Sequence, residues 1–281
     1  MAHSEITIHR TPGRSLRSAT HAKQLAGLIG FLSTVIGTLL ALGIIHPLGG
    51  TENALAATLG STTDAGSAKL TVVLQAPQDG RLLTLRGDGA YDFRTGRGKL
   101  TLHLPPEIAM AYGAATVKTI VDGDTTYTYL PEWSAWEMSD ASSASSPPQS
   151  SLDVFTELVP DDPTQILAFL EPGGEVEKVG EEPLFGTETS HYRATVDVEQ
   201  LVDNAPANVQ RAVRASGMVH AGATLPVDVW VDNAGLMRRI DLKGQLGGVG
   251  NVALRLDLYD FGTAVDVKLP PQSKVFASLG G

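Results

Sequence analysis

The sequence predicts a mainly β fold with a few helices, an α+β class built on antiparallel strands. Three observations carry this. Apolar residues alternate with polar ones at a period of two through most of residues 69–269, which puts one side of each strand in a core and the other in water. Turn residues break these runs at short intervals, as in Asp232-Asn233-Ala234-Gly235 and Asp122-Gly123. Helical patterns do not alternate with the strands, which argues against a parallel βαβ sheet. The count comes to about eleven strands and two or three helices.

The clearest strands lie between residues 224 and 261. Leu225, Val227, Val229 and Val231 alternate with Pro226, Asp228, Trp230 and Asp232. After the turn, Leu236, Ile240 and Leu242 fall on one face, and Met237, Arg239, Asp241 and Lys243 on the other. Arg238 and Arg239 therefore point to opposite faces, with one of them reaching past the apolar rim. Gly247, Gly248 and Gly250 break the run, and Leu254, Leu256 and Leu258 then alternate with Arg255, Asp257 and Tyr259.

Earlier strands follow the same logic. Leu70, Val72 and Leu74 share a face, as do Leu83, Leu85, Tyr91 and Phe93, and then Leu100, Leu102 and Leu104. Gly87 and Gly89 predict a bend or bulge. Residues 115–121 and 124–130 form a hairpin with Val117 on the first strand and Tyr127 and Tyr129 on one face of the second. Residues 139–151 are a low-complexity loop. Asp162 caps a helix with Pro163 in its first turn and Ile166, Leu167 and Leu170 directed inward. Two further strands span 175–184 and 187–198, helical character follows over 198–217, and a last short strand is expected at 264–269.

The N-terminal part is different. Residues 1–24 are a basic tail, with Arg10, Arg14, Arg17 and Lys23 against Glu5. Residues 25–45, LAGLIGFLSTVIGTLLALGII, carry no charge and are long enough for a transmembrane helix. The positive-inside rule then places the N-terminus in the cytoplasm and the rest outside, as a single-pass plasma-membrane protein. The other reading is a signal peptide cleaved near Ala56, after which the protein is secreted. Residues 46–66 read as a flexible tether, and 67–281 as the exported domain.

Composition limits the chemistry. The chain has no cysteine, which excludes disulfides, thiol catalysis and lipid attachment through a lipobox. Its net charge of −10 argues against nucleic acid and against electrostatic docking on anionic lipid. There is no HExxH, no GxSxG and no glycine-rich phosphate loop. Asp122 and Asp124 lack the rest of a calcium loop and read as a hairpin turn. His191 lies near a strand start, on the solvent side, with no nameable partner for acid–base work. No catalytic residue, metal or cofactor is expected.

These stretches together resemble the LppX/LprG-type actinobacterial lipoproteins of the LolA/LolB-like superfamily. The resemblance is carried by GDGAYDFRTGRGKLTLHL (87–104), VDGDTTYTYLPEWSAWEM (121–138), DPTQILAFL (162–170), EVEKVGEEPLFGTETSHYRATVDVEQL (175–201), LPVDVWVDNAGLMRRI (225–240) and LDLYDFGTAVDVKLP (256–270). It implies a curved antiparallel half-barrel with helices on its concave side and an apolar cavity for acyl chains. The implied cavity lining is Leu83, Leu85, Tyr91, Leu100, Leu102, Val117, Tyr127, Tyr129, Ile166, Leu167, Leu170, Val227, Val229, Ile240, Leu254 and Leu256. Movement around residues 139–174 would admit the chain. The missing lipobox cysteine departs from the pattern, and the 25–45 helix takes the place of lipidation as the anchor. A tether of about 20 residues reaches roughly 25 Å, which limits shuttling between membranes.

The expected function is thus a non-enzymatic, membrane-anchored carrier or chaperone that holds the acyl chain of a lipid or lipoglycan. The alternative is a structural or sensory ectodomain that binds a protein partner. The two differ in whether the apolar face covers a ligand or a filled core.

Overall fold

A computed structural model describes residues 51–78, 81–123, 125–140, 176–197, 199, 203, 214, 224–246 and 250–277. Its centre is one open, curved sheet of twelve strands. In chain order these are β1 (Ser67–Gln78), β2 (Arg81–Asp92), β3 (Arg97–His103), β4 (Thr116–Asp122), β5 (Thr125–Leu130), β6 (Ala135–Asp140), β7 (Glu177–Leu184), β8 (Thr187–Asp197), β9 (Thr224–Asp232), β10 (Met237–Leu246), β11 (Gly250–Tyr259) and β12 (Val275–Ala277). Their order across the sheet is β12-β6-β5-β4-β3-β2-β1-β11-β10-β9-β8-β7. Two meanders, β1 to β6 and β7 to β11, meet where β1 pairs with β11.

Helix α1 (Thr51–Asp64) leads into β1. This corrects the expectation of a tether over 46–66 at those residues. Leu and Ala favour the helix, and it stops at Gly66, whose φ of +84° suits glycine. The Gly66 carbonyl then accepts the Phe93 amide at 2.9 Å, fixing the helix end to β2. Helix α2 (Pro106–Tyr112) joins β3 to β4, begins on proline and ends at Gly113 with φ +74°. Its Ile108 is buried in the main core. Short 3-10 turns span Pro131–Trp133 and Gln272–Lys274.

Several expectations are corrected by register. The last strand is β12, not residues 264–269. Those residues run without regular pairing: just before them Ser67 Oγ donates to the Thr263 carbonyl at 2.6 Å, and within them Lys99 Nζ donates to that of Asp266 at 3.1 Å. They return the chain across the sheet to β12, which pairs with β6 in parallel, the one departure from antiparallel pairing among the described strands. Gly87 and Gly89 sit opposite Val72 and Leu70 in an unbroken register, so β2 has no bulge there. A register shift lies in β7, between Lys178 and Gly180, and a bulge lies in β10, between Met237 and Arg239. It makes Arg238 the extra residue and turns Met237 into the core, where it is 1% exposed, rather than onto the wet face.

The single-pass plasma-membrane placement is also corrected: among the described residues no helix is long and apolar enough to cross a membrane. Residues 1–24 and 25–45 lie outside the described residues. So do the expected helix at 162–170 with Ile166, Leu167 and Leu170, and the 141–174 part of the expected opening.

Candidate functional site: the apolar face of the sheet

One face of the sheet is nearly continuous hydrocarbon. Following the pairing register, Val229, Ile240, Leu256, Val72, Gly87, Leu102 and Val117 form a single row from β9 to β4. A second row runs Val227, Leu242, Leu254, Leu74 and Leu85. A strand alternates its side chains, so aligned rows on twisted neighbours share one surface. Their large side chains belong to one buried cluster that also takes in Leu70, Leu100, Tyr91 and Met237.

Glycines shape this surface. A Cβ at Gly87 would come within 2.9 Å of the methyl groups of Leu102 and Val72. A Cβ at Gly89 would meet the Lys99 carbonyl at 2.2 Å. At Gly98 it would meet the Tyr91 ring at 2.4 Å. Side chains have closed over Gly87 and Gly98, and at Gly89 the β3 backbone itself fills the space, which the sequence shows only as punctuation.

Eleven of the sequence-selected residues share this face: Leu83, Leu85, Tyr91, Leu100, Leu102, Val117, Val227, Val229, Ile240, Leu254 and Leu256. Tyr127 and Tyr129 do not. Val121 points into the core, and its partner on β5 is Thr126, so Tyr127 falls on the opposite face opposite Ile120. There Tyr127 meets Met138 in register, and Tyr129 packs on Trp136 with ring centroids 5.2 Å apart. The residues that take their place are Thr119, Thr126 and Thr128, all buried. Sequence reading missed them because threonine suits either face of a strand. Thr119 and Thr128 stand directly opposite each other. The apolar face therefore ends in hydroxyl groups at β4 and β5.

The other face is charged. Asp228 and Asp241 are direct cross-strand partners, a like-charge pairing that needs cations. Arg193 donates to Asp228 at 2.9 Å, while Arg255 and Lys243 lie 2.5 and 3.0 Å from Asp241. Arg239 pairs with Asp257 at 2.5 Å and lies 5.6 Å from the Trp230 ring centroid. His191 stacks flat on Trp230, with centroids 4.2 Å apart, and its Nε2 is 2.8 Å from Asp228 Oδ1. His191 thus has the partner that the sequence did not name, and it stands in mid-strand with its side chain mostly covered. The Trp230 indole donates to Glu182. These contacts tie β7 to β11 together from the polar side. Among the described residues no group of three or more His, Asp or Glu is placed to hold a metal ion.

At one end of this half, Asp232 organises the β9–β10 turn. Its Oδ1 accepts the amides of Ala234 and Leu236, both at 2.9 Å, and its Oδ2 accepts from Arg238 Nε at 2.7 Å. Arg238 also lies 4.8 Å from the centroid of the Phe261 ring. The bulge is what lets both arginines leave the apolar face.

No protein-family model matches the chain. Part of it is similar to an uncharacterised 31.2 kDa protein from the rplA-rplJ intergenic region of Streptomyces griseus, at 31% identity over 114 residues. That match spans 40% of this chain and 37% of the relative. Among solved structures, similarity is found to LprF from Mycobacterium bovis, at 13% identity and TM-score 0.46, over 78% of this chain and 96% of that one. Similarity is also found to the lipoprotein LppX from Mycobacterium tuberculosis, at 18% identity and TM-score 0.44, over 76% and 98%. A LolA-superfamily protein from Nitrosomonas europaea matches at 10% identity and TM-score 0.30, over 73% and 91%.

Proposed function

We propose that the protein is a non-catalytic binding protein that holds an acyl chain of a lipid or lipoglycan against the apolar face of its sheet. The observation that carries this reading is the unbroken aliphatic row from Val229 to Val117, with a glycine at its centre where Val72 and Leu102 meet. Such a surface suits a long flexible hydrocarbon, which gains about 0.8 kcal/mol for each CH₂ it buries. Neither a nucleophile nor a charged group is needed to hold it. The hydroxyl end at Thr119, Thr126 and Thr128 offers polar contacts to the part of the ligand that follows the chain.

Native mass spectrometry of the full chain, purified without detergent from the producing organism and followed by organic extraction, tests this. The expected result is a bound mass that extracts as lipid. A clean apo mass, unchanged after incubation with native membrane lipids, overturns the reading and redirects the search to a protein partner.

A further inference from the structure

Among the described strands β7 is an edge, paired on one side only. Its ladder to β8 is interrupted by the register shift between Lys178 and Gly180, which leaves Val179 out of step and exposed. Beside that weak point Gly180 stands opposite His191, and a Cβ on Gly180 would meet nothing within 4 Å. One side chain bridges the gap. Glu182 of β7 reaches over β8 to β9, where it accepts the Trp230 indole N–H, and its Oε1 lies 4.0 Å from His191 Nδ1. The His191 ring lies flat on Trp230, with Nε2 2.8 Å from Asp228 Oδ1. The ring is therefore held between two carboxylates, one on the edge strand and one on β9. This edge bounds the apolar face, because Val176 just before β7 and Tyr192 on β8 both pack against the main core.

The charges around the ring are unequally provided for. Asp228 has Arg193, Asp241 has Arg255 and Lys243, Asp257 has Arg239, and Asp232 has Arg238. On β7, Lys178 and Glu181 pair with each other at 2.6 Å, and Glu177 stands opposite Arg193 in register. Glu182 has no such permanent cation: its one ion-pair contact among the described residues is His191. A neutral imidazole offers one N–H and one lone pair. With the N–H given to Asp228, the lone pair turns toward Glu182; with the N–H given to Glu182, the lone pair faces Asp228 at 2.8 Å. Only the imidazolium presents an N–H to each carboxylate, and its charge also suits the face of an indole.

We infer that His191 is a proton-operated latch that fastens the edge strand β7 to β9 through Glu182. Histidine is the side chain whose charge changes in the range from about pH 5 to 8. In acid the charged ring holds Asp228 and Glu182 together across β8. As pH rises and the proton leaves, the bond toward Glu182 is lost, and β7 parts from β8 more often at the register shift. Glu182 is half-exposed, so water screens the contact and the effect is a change in local opening rather than in the whole fold. The inference rests on the acyl-chain reading for its consequence alone: a fastened β7 keeps the side of the apolar face closed, so a bound chain is retained better in acid.

Amide hydrogen exchange of the full chain, followed by mass spectrometry near pH 5.5 and near pH 8, tests this. Each rate is divided by the intrinsic chemical rate at that pH, and peptides from β7 are compared with peptides from the central strand β1. The expected result is protection of β7 about threefold higher at the lower pH, the size of a partly exposed ion pair, with β1 unchanged. Glu182→Gln keeps an oxygen for the Trp230 indole and removes the charge, and His191→Gln removes the titrating ring. Each is expected to abolish the pH dependence of β7, whatever it does to the level of protection. The ratio between the two pH values is the readout, so a variant that merely loosens β7 does not imitate the result. Equal protection of wild-type β7 at both pH values, greater protection at the higher one, or a ratio that survives in either variant overturns the inference. No lipid enters the measurement, so its outcome is separate from that of the acyl-chain test.

Discussion

Thr62 Oγ1 in α1 accepts the backbone amide of Met237 at 3.0 Å, in a buried bond that joins residues 175 positions apart. Met237 is the last residue before the β10 bulge, so its amide sits where the ladder is disturbed. The helix thereby satisfies a donor that the sheet leaves over. Ser61 of the same helix lies against Gly235 of the β9–β10 turn.

Thr62→Val keeps the shape of the side chain and removes the acceptor. The buried amide then loses its partner, at a cost of about 1–3 kcal/mol. Thr62→Ser keeps the bond and loses only a methyl group, so it is expected to lie much closer to wild type. Urea unfolding of both variants checks this, and equal destabilisation would show that packing, not the hydrogen bond, matters.

The two glycines of β2 are expected to differ. At Gly87 an added Cβ presses on the methyl groups of Leu102 and Val72, which can rotate away; at Gly89 it presses on the Lys99 carbonyl, which is held in the ladder. Gly87→Ala should cost about 1 kcal/mol and Gly89→Ala at least about 3 kcal/mol, the upper range for overpacking. Thermal unfolding of the pair decides it. The reverse order would mean that β2 and β3 can part more readily than side chains can turn.

Asp241 is buried opposite Asp228 and is held by Arg255 and Lys243. The hydrogen bond to Asp241 is the main cause that raises Arg255 above the ordinary arginine pKa, so it stays charged throughout. Arg255→Met leaves the carboxylate to Lys243 alone. We expect a loss of about 1–2 kcal/mol, below the usual cost of breaking a buried pair because one cation stays and Arg255 is half-exposed, so solvent screens it. Adding Asp241→Asn should recover more than half of it. A double-mutant cycle in urea measures the coupling, and additive losses would mean that the pair is independent.

Lys69 Nζ lies 2.7 Å from Asp260 Oδ2, tying the start of β1 to the residue after β11. The hydrogen bond and charge of Asp260 raise the lysine pKa above 10.5. A raised folded-state value means that the proton is bound more tightly in the native chain, so the contribution is complete below about pH 10 and lost as pH rises through the native value. The group is fully exposed, so the effect is small and screened by salt. The melting temperature of wild type should fall slightly more than that of Lys69→Gln between pH 9.5 and 11.5 at low ionic strength. Parallel falls would show that the pair contributes nothing.

Most of the strand faces were legible in the sequence because alternation survives wherever one side is buried. Val227, Val229, Leu254 and Leu256 needed no knowledge of their partners to be set on the apolar side. Tyr127 and Tyr129 show where the method stops. Their strand, TTYTYL, alternates threonine with aromatics, and both residue types suit a sheet. Only the pairing of Val121 with Thr126 decides which set is inward. Met237 was misplaced for a related reason, since a one-residue bulge reverses the phase without changing composition.

The sequence by itself determined the fold class, the strand content and the aliphatic character of one sheet face, because these follow from period, turn chemistry and hydrophobicity, which are local. The tertiary structure decided what depends on distant partners. It joined β1 to β11 and laid β12 along β6. It set Thr119, Thr126 and Thr128 on the apolar face, and it placed His191 between Asp228 and Glu182. Register is a relation between strands, fixed by how whole faces fit together, and no single strand contains it.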